Sequence, residues 1–286
     1  MSSLHVHFLP TLVEPDALRG GTVVVIDVLR ATTTIAAAIA AGARAVIPCG
    51  ELEEARQIAA KFARSEVLLG GERGGLLIPG FDLGNSPRDY LPEVVGGKTI
   101  VFTTTNGTQA LLRCRQAARV LTAGFVNLSA IASAVQDFAR SAHESERIHL
   151  VCAGTRGQIT GEDVLLAGCL ADRISAFARD ADAPPPDGND ATRIALEVWH
   201  QVRDQHQRSS HTLSGGDAIL ERQGKLAQNL PGVLPNGIGS AMGECLGGRD
   251  LIQLGLGQDI LDAAQVDRWE CVPELNLQAW EIRGRA

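Results

Sequence analysis

Asp27 and Arg30 are the first residues along the chain placed to do chemistry together. They lie in Ile26-Asp27-Val28-Leu29-Arg30-Ala31-Thr32-Thr33-Thr34, after a run of β-branched residues and before an alanine-rich one. A carboxylate so placed can hold a hard cation or act as nucleophile or base. A guanidinium can grip phosphate or sulfonate oxygens through paired N–H groups. The hydroxyls of Thr32 and Thr33, beside the free N–H groups of a helix start, suit an anion, helped by the helix dipole. The plainer alternative is a threonine N-cap with an Asp27–Arg30 ion pair, and the segment taken alone favours it.

Two other segments carry comparable residues. In Thr103-Thr104-Thr105-Asn106-Gly107-Thr108, asparagine and glycine supply a tight backbone and Thr108 can cap the next helix. Four threonines around one turn exceed what a cap needs, although a β-propensity run ending in a turn would read the same way. The long segment Gly70 to Pro87 contains Gly70-Gly71-Glu72-Arg73-Gly74 and Gly80-Phe81-Asp82-Leu83-Gly84-Asn85-Ser86-Pro87. Its glycines permit close backbone approach. Glu72 and Asp82 offer oxygen ligands to Mg²⁺, and Arg73 offers another anion contact. Turns collect the same residue types. Further on, Gly154-Thr155-Arg156-Gly157 with Glu162 and Asp163 takes a similar place, and the two acids serve equally as first-turn acids of a helix.

The elements that must position these loops repeat. Gly21–Thr32 (GTVVVIDVLRAT) recurs loosely 76 residues later as Gly97–Thr108 (GKTIVFTTTNGT), and Phe62-Ala63-Arg64-Ser65 recurs at the same offset as Phe138-Ala139-Arg140-Ser141. The repetition predicts one βαβα unit used twice. Short apolar runs at 22–26, 43–48, 67–69, 98–102, 120–123 and 148–152 read as strands. The stretches 32–41, 51–63, 108–117, 127–139, 162–178 and 191–207 read as helices. The alternation predicts an α/β protein, layered α/β/α, with a parallel or mixed sheet. The expected organisation is a first repeat lobe at 1–96, a second at 97–180, and a C-terminal helical segment with an insertion at 181–286 packing on the core. A proline-rich connection spans 180–190, a polar, glycine-rich insertion spans 209–240, and a turn at Val272-Pro273 closes the chain.

Composition narrows the function class. A formal charge of −7, with aromatics at 4%, argues against a nucleic-acid partner. The segment Met1–Val13 lacks the charged start and apolar core of a signal peptide, and the longest apolar stretch is too short to span a bilayer. Six cysteines without CxxC or zinc spacing point to free thiols in a reducing cytoplasm. The phosphate-binding GxxxxGK[ST] loop and a GxGxxG after the first strand are both missing. His5 and His7 have the spacing of a strand-borne metal pair but no further ligands nearby in sequence.

Taken in order, IDVLRATTT, GGERGGLLIPGFDLGNSP, TTTNGT and CAGTRGQITGEDVLLAG resemble the 2-phosphosulfolactate phosphatase family over about Val23 to Ile174, and again near Gly247 to Pro273. The resemblance implies an α/β architecture peculiar to that family and a Mg²⁺-dependent hydrolase. It would release phosphate from (R)-2-phospho-3-sulfolactate to give 3-sulfolactate, a step of coenzyme M biosynthesis. Carried residue by residue, the match covers Asp27, Arg30, Thr32 to Thr34, Glu72, Asp82, Asn85, Ser86, Thr103 to Thr108, Asp163 and Asp259. It leads to catalytic roles for Asp27, Arg30 and Glu72. Thr32, Thr33, Arg73, Asn85, Ser86, Thr104, Thr105, Asn106, Gly107 and Thr108 are expected to bind substrate. Asp27, Glu72, Asp82, Asp163 and Asp259 are the expected metal ligands. The 180–190 and 209–240 segments depart from the family pattern and leave the substrate open. Alternatives are a phosphatase of a related small phosphoester, a phosphotransferase, or a non-catalytic binder of anionic metabolites. A homodimer is the default expectation for an enzyme of this size.

Overall fold

The computed structural model describes residues 3–141, 147–180, 186–212 and 237–285. Residues 181–185 of the expected connection and 213–236 of the expected insertion lie outside them. Residues 209–212 and 237–240 belong to flanking helices.

The repeated unit begins with β2 (Thr22–Ile26), α1 (Ala31–Ala40), β3 (Ala45–Pro48), α2 (Leu52–Ala59) and β4 (Val67–Arg73). Its second copy is β6 (Thr99–Thr103), α4 (Gly107–Arg113), β7 (Arg119–Ala123), α5 (Leu128–Ser141) and β8 (Arg147–Cys152). The copies do not lie side by side. Each first strand is exchanged into the other copy: β2 runs parallel between β7 and β8, and β6 runs parallel between β3 and β4. The segments 1–96 and 97–180 therefore contribute alternately to one sheet.

Among the described residues that sheet is mixed and has eleven strands, in the order β5-β4-β6-β3-β11-β10-β7-β2-β8-β1-β9. At its edges stand β5 (Leu76–Leu77) on one side, and β1 (Ser3–His7) with β9 (Asp187–Gly188) on the other. Sequence reading placed only a closing turn at Val272-Pro273. The chain instead forms an antiparallel hairpin, β10 (Pro273–Asn276) and β11 (Glu281–Gly284), at the centre of the sheet. Leu275 and Ile282 are buried, and Trp280 donates its ring N–H to the carbonyl of Pro48 at 2.8 Å. The hairpin joins β3 to β7 antiparallel on both sides.

Because three antiparallel steps separate β3 from β7, the two parallel triplets run in opposite directions. In a flat sheet their carboxyl ends would be far apart. They nevertheless meet: a Cβ on Gly107, just beyond β6, would lie 2.8 Å from Oδ2 of Asp27, just beyond β2, so the sheet is far from flat.

Both faces of the sheet are covered, so the strands are apolar throughout rather than alternating. In β2, Val24 and Ile26 point into a core shared with α5 and α6 (Gly161–Asp180), whereas Val23 and Val25 enter a second core with α1 and α4. A third, smaller cluster lies under α2. All six cysteines are free, and no helix of the described residues is long and apolar enough to cross a membrane.

Gly71 is the last residue of β4 that pairs with β6. It adopts φ +131°, donates its N–H to the carbonyls of Leu83 and Gly84, and would place a Cβ 1.9 Å from the carbonyl oxygen of Thr103. Gly71→Ala should cost about 3–5 kcal/mol, combining backbone strain and a clash with backbone. The shift in urea midpoint measures it, and a loss under 1 kcal/mol would contradict this geometry.

Candidate active site

The loops that leave β2 and β6 are built alike. Asp27 donates its N–H to Thr32 Oγ1 (3.1 Å), whose hydroxyl donates to the Asp27 carbonyl (2.8 Å). In the second copy Thr104 donates its N–H to Thr108 Oγ1 (3.2 Å), and Thr108 returns its N–H to Thr104 Oγ1 (3.3 Å). Thr33 donates to the carbonyl of Val28 and Thr34 to that of Asn85. Thr32, Thr33 and Thr108, expected to bind substrate, are thus buried and spent on the backbone. Their role is to shape the loops; the threonine N-cap of the structural alternative is not made, since Arg30 and Asn106 hold the N-cap positions and neither helix has a side-chain cap. The Asp27–Arg30 ion pair of that alternative does not form.

An acid then clasps each loop. Glu72, at the end of β4, accepts the N–H of Thr105 (2.8 Å) with one oxygen and that of Gly75 (2.7 Å) with the other. Asp163, in the first turn of α6, accepts the N–H of Val28 and that of Gly154, both at 2.9 Å. Each acid therefore ties a loop of its own repeat to the first-strand loop of the other.

Asp27 and Arg30 occupy the resulting junction. Ala31 donates its N–H to Asp27 Oδ1 at 3.2 Å, while Oδ2 faces Gly107, where a Cβ would come within 2.8 Å. Gly107 is needed for this close approach. The Arg30 guanidinium donates to Asp259 Oδ2 (2.8 Å) and to the carbonyl of Gly75 (2.6 Å), and Asp259 Oδ1 accepts from Ser86 (2.7 Å). Both members of the Arg30–Asp259 pair are 3% exposed, so the arginine is fixed in place.

These groups open onto one cleft of about 410 Å³. Asp27, Arg30 and Glu72 form its floor, and Thr104, Thr105 and Asn106 one wall. Asn85 also lines it, with a side-chain oxygen that is buried and has no partner. Leu29, Leu251 and Leu254 make the apolar part. Asp27, Arg30, Glu72, Asn85, Thr104, Thr105 and Asn106 are thus brought together as expected.

Other expected residues lie elsewhere. Asp82 is exposed, paired with Arg64, and accepts the N–H of Leu69. Arg73 turns away onto the carbonyls of Glu72 and Gly50 and the hydroxyl of Thr103. Asp259 and Ser86 hold Arg30 rather than facing the cleft. Sequence reading did not assign Arg156, Asp250, Gly247 or the leucines of the helix Leu246–Gln253 to the site. The Gly154-Thr155-Arg156-Gly157 run signalled the first of these through its likeness to the loop after β4. The helix Leu246–Gln253 fell within the family resemblance from Gly247 onward but held no residue singled out for the site, since only tertiary packing brings it there.

Behind the cleft floor Asp27 meets two further buried acids, Glu162 and Asp163, which do not line the cleft. Burial first, and the neighbouring Asp163 second, push the Asp27 carboxyl up to about 8. Burial and Glu162 push Asp163 to about 7, and burial pushes Glu162 to about 7. Glu162 lies against Gly247, and its Oε2 is buried with no partner. Among the described residues no three His, Cys, Asp or Glu side chains already converge as a metal site. A hard divalent cation nevertheless fits by charge and donor type. Glu72 and Asp163 already accept one backbone N–H on each oxygen, so Asp27 Oδ2 and Glu162 Oε2 are the oxygens most open to hold it.

A family model described as 2-phosphosulpholactate phosphatase matches residues 7–230. A "Probable 2-phosphosulfolactate phosphatase" of Caldanaerobacter subterraneus subsp. tengcongensis is 43% identical over 160 residues, 56% of this chain and 64% of that protein. One of the same name from Caldicellulosiruptor saccharolyticus is 45% identical over 161 residues, 56% of this chain and 65% of its own length. A third, from Synechococcus sp. strain CC9605, is 39% identical over 206 residues, 72% of this chain and 82% of the relative. The chain thus spans somewhat less than two thirds of the first two relatives.

The raised acids set a pH dependence. In the folded state Asp27, Glu162 and Asp163 keep protons that the unfolded chain, titrating near the ordinary carboxylate range, has already released. Stability therefore falls as pH rises from about 4 towards 8 and levels off above it. Thermal melts without divalent cations should show the midpoint dropping between pH 5 and 8.5, and Asp27→Asn should flatten the slope. A flat profile in the parent protein would mean that these carboxyls are not buried together.

Proposed function

The chain belongs to the 2-phosphosulpholactate phosphatase family, and from that premise we propose that it is a Mg²⁺-dependent phosphomonoester hydrolase acting on 2-phosphosulfolactate. The observation that carries the reading is the convergence of Asp27 and Arg30, from one repeat, with Thr104 to Asn106, from the other, around a single cleft. Phosphoryl transfer asks a protein mainly for positioning and for charge that stabilises the spreading negative charge of the transition state. Arg30 meets the second need. Two of its N–H groups are engaged with Asp259 and Gly75, which holds the guanidinium rigid while leaving donors for phosphoryl oxygens.

Asp27 orients the attacking water at Oδ2, its other oxygen being held by the Ala31 N–H. The Thr104 to Asn106 wall positions the rest of the substrate, with Asn85 beside it in the lining. Leu29, Leu251 and Leu254 displace water, which strengthens each charged contact inside. Mg²⁺, held by Asp27 and Glu162, would neutralise phosphoryl charge and activate water for attack. Free thiols throughout the chain suit a cytoplasmic enzyme, and a homodimer belongs to the same proposal.

The test is phosphate release from a panel of phosphorylated hydroxy acids (2-phosphosulfolactate, phospholactate and phosphoglycolate) with Mg²⁺ and after chelation. Turnover should be highest on 2-phosphosulfolactate and should collapse on chelation. Asp27→Asn and Arg30→Gln should each lower kcat/KM by about 100-fold or more. Binding without turnover would favour a metabolite sensor, and preference for another phosphoester would replace the substrate. Independently of activity, Mg²⁺ should raise the melting temperature at pH 8 in the parent protein and much less in Glu162→Gln. An equal rise in both would remove Glu162 from the cation site.

A further inference from the structure

The two halves of the cleft differ by an exchange of side chains. Arg30 and Asn106 hold the same place, each just before the helix that follows its repeat's first strand. Each reaches across to the loop beyond the third strand of its own repeat. Arg30 donates to the carbonyl of Gly75 at 2.6 Å, and Asn106 Oδ1 accepts the N–H of Arg156 at 3.1 Å. In the first of these loops Arg73 turns away from the cleft onto the carbonyls of Glu72 and Gly50, whereas in the second Arg156 lines it. The first half therefore supplies its guanidinium from the position before the helix, and the second supplies it from the loop.

The two arginines are held very differently. Arg30 is fixed in a buried pair. Arg156 lines the rim and pairs with Asp250 at 2.7 Å, with side chains 60% and 34% exposed. An ion pair this exposed contributes at most about 1 kcal/mol, so exchanging Asp250 for another anion costs little.

We propose that Arg156 is the specificity-determining residue that reads the substrate's second acidic group, the sulfonate, while Arg30 holds the phosphate. This rests on the phosphatase reading above. The fixed guanidinium serves the group that is transferred, and the exchangeable one serves the group that stays. Asp250 keeps Arg156 oriented until the sulfonate replaces it. Asn106, by holding the Arg156 backbone, positions the loop.

The experiment compares 2-phosphosulfolactate with 2-phospholactate, which lacks the sulfonate, in the full chain and in Arg156→Gln and Arg156→Lys. In Arg156→Gln the ratio of kcat/KM for the sulfonated over the unsulfonated substrate should fall about 10-fold, as expected for one charge-assisted contact. The loss should appear in KM rather than kcat, and Arg156→Lys should recover part of it. An unchanged ratio overturns the proposal, including the case of equal losses on both substrates. If the parent protein hydrolyses neither substrate, the phosphatase reading has failed, and calorimetry with 3-sulfolactate and lactate decides the Arg156 assignment alone. Preference for 3-sulfolactate that drops about 10-fold in Arg156→Gln sustains it, and absence of preference in the parent protein overturns it.

Discussion

Everything at the cleft depends on burying carboxylates against backbone N–H groups where the two repeats meet. A buried carboxylate is costly unless hydrogen bonds or a positive charge compensate it. Glu72 and Asp163 are each satisfied by two N–H donors, one from each repeat. They act as cross-links as well as charges. Burial is the first reason that Asp27, Glu162 and Asp163 itself resist ionisation, and their mutual repulsion adds to it; the same crowding of acids gives a cation its place there.

The sheet makes that junction possible. Its two triplets point in opposite directions with the β10–β11 hairpin between them, and a sheet that is far from flat brings their loops face to face. The hairpin is far from the chemistry in sequence and has no catalytic residue type. It nevertheless sets how many strands separate β6 from β2. Fold and site are coupled through a strand count.

Much of this was legible in the residues. The β-branched runs at 22–26 and 98–102 and the alanine-rich helix after the first gave the βαβα unit and its repetition. Asp27, Glu72 and the Thr104–Asn106 turn marked the cleft. What the residue types could not tell was direction. Thr32, Thr33 and Thr108 look like ligand hydroxyls but face their own backbone. Arg73 and Asp82 sit in the right loop yet turn outward. Arg156, in a run that resembled the earlier loop, faces the cleft. A side chain's orientation depends on which strand lies next door, and the exchange of β2 and β6 is a long-range fact that local periodicity does not encode. The C-terminal hairpin escaped for the same reason, its strands being short and its partners more than a hundred residues away.

That exchange also governs how the protein comes into being. Thr22 finds its partners at Arg119 and Ile148, so this strand waits for about half of the chain to leave the ribosome. Until then Val23, Val24, Val25 and Ile26 have no strand on either side. Pairings of such sequence separation fold slowly and leave sticky intermediates. A nascent chain of this design has reason to engage a holding chaperone before its second repeat is synthesised.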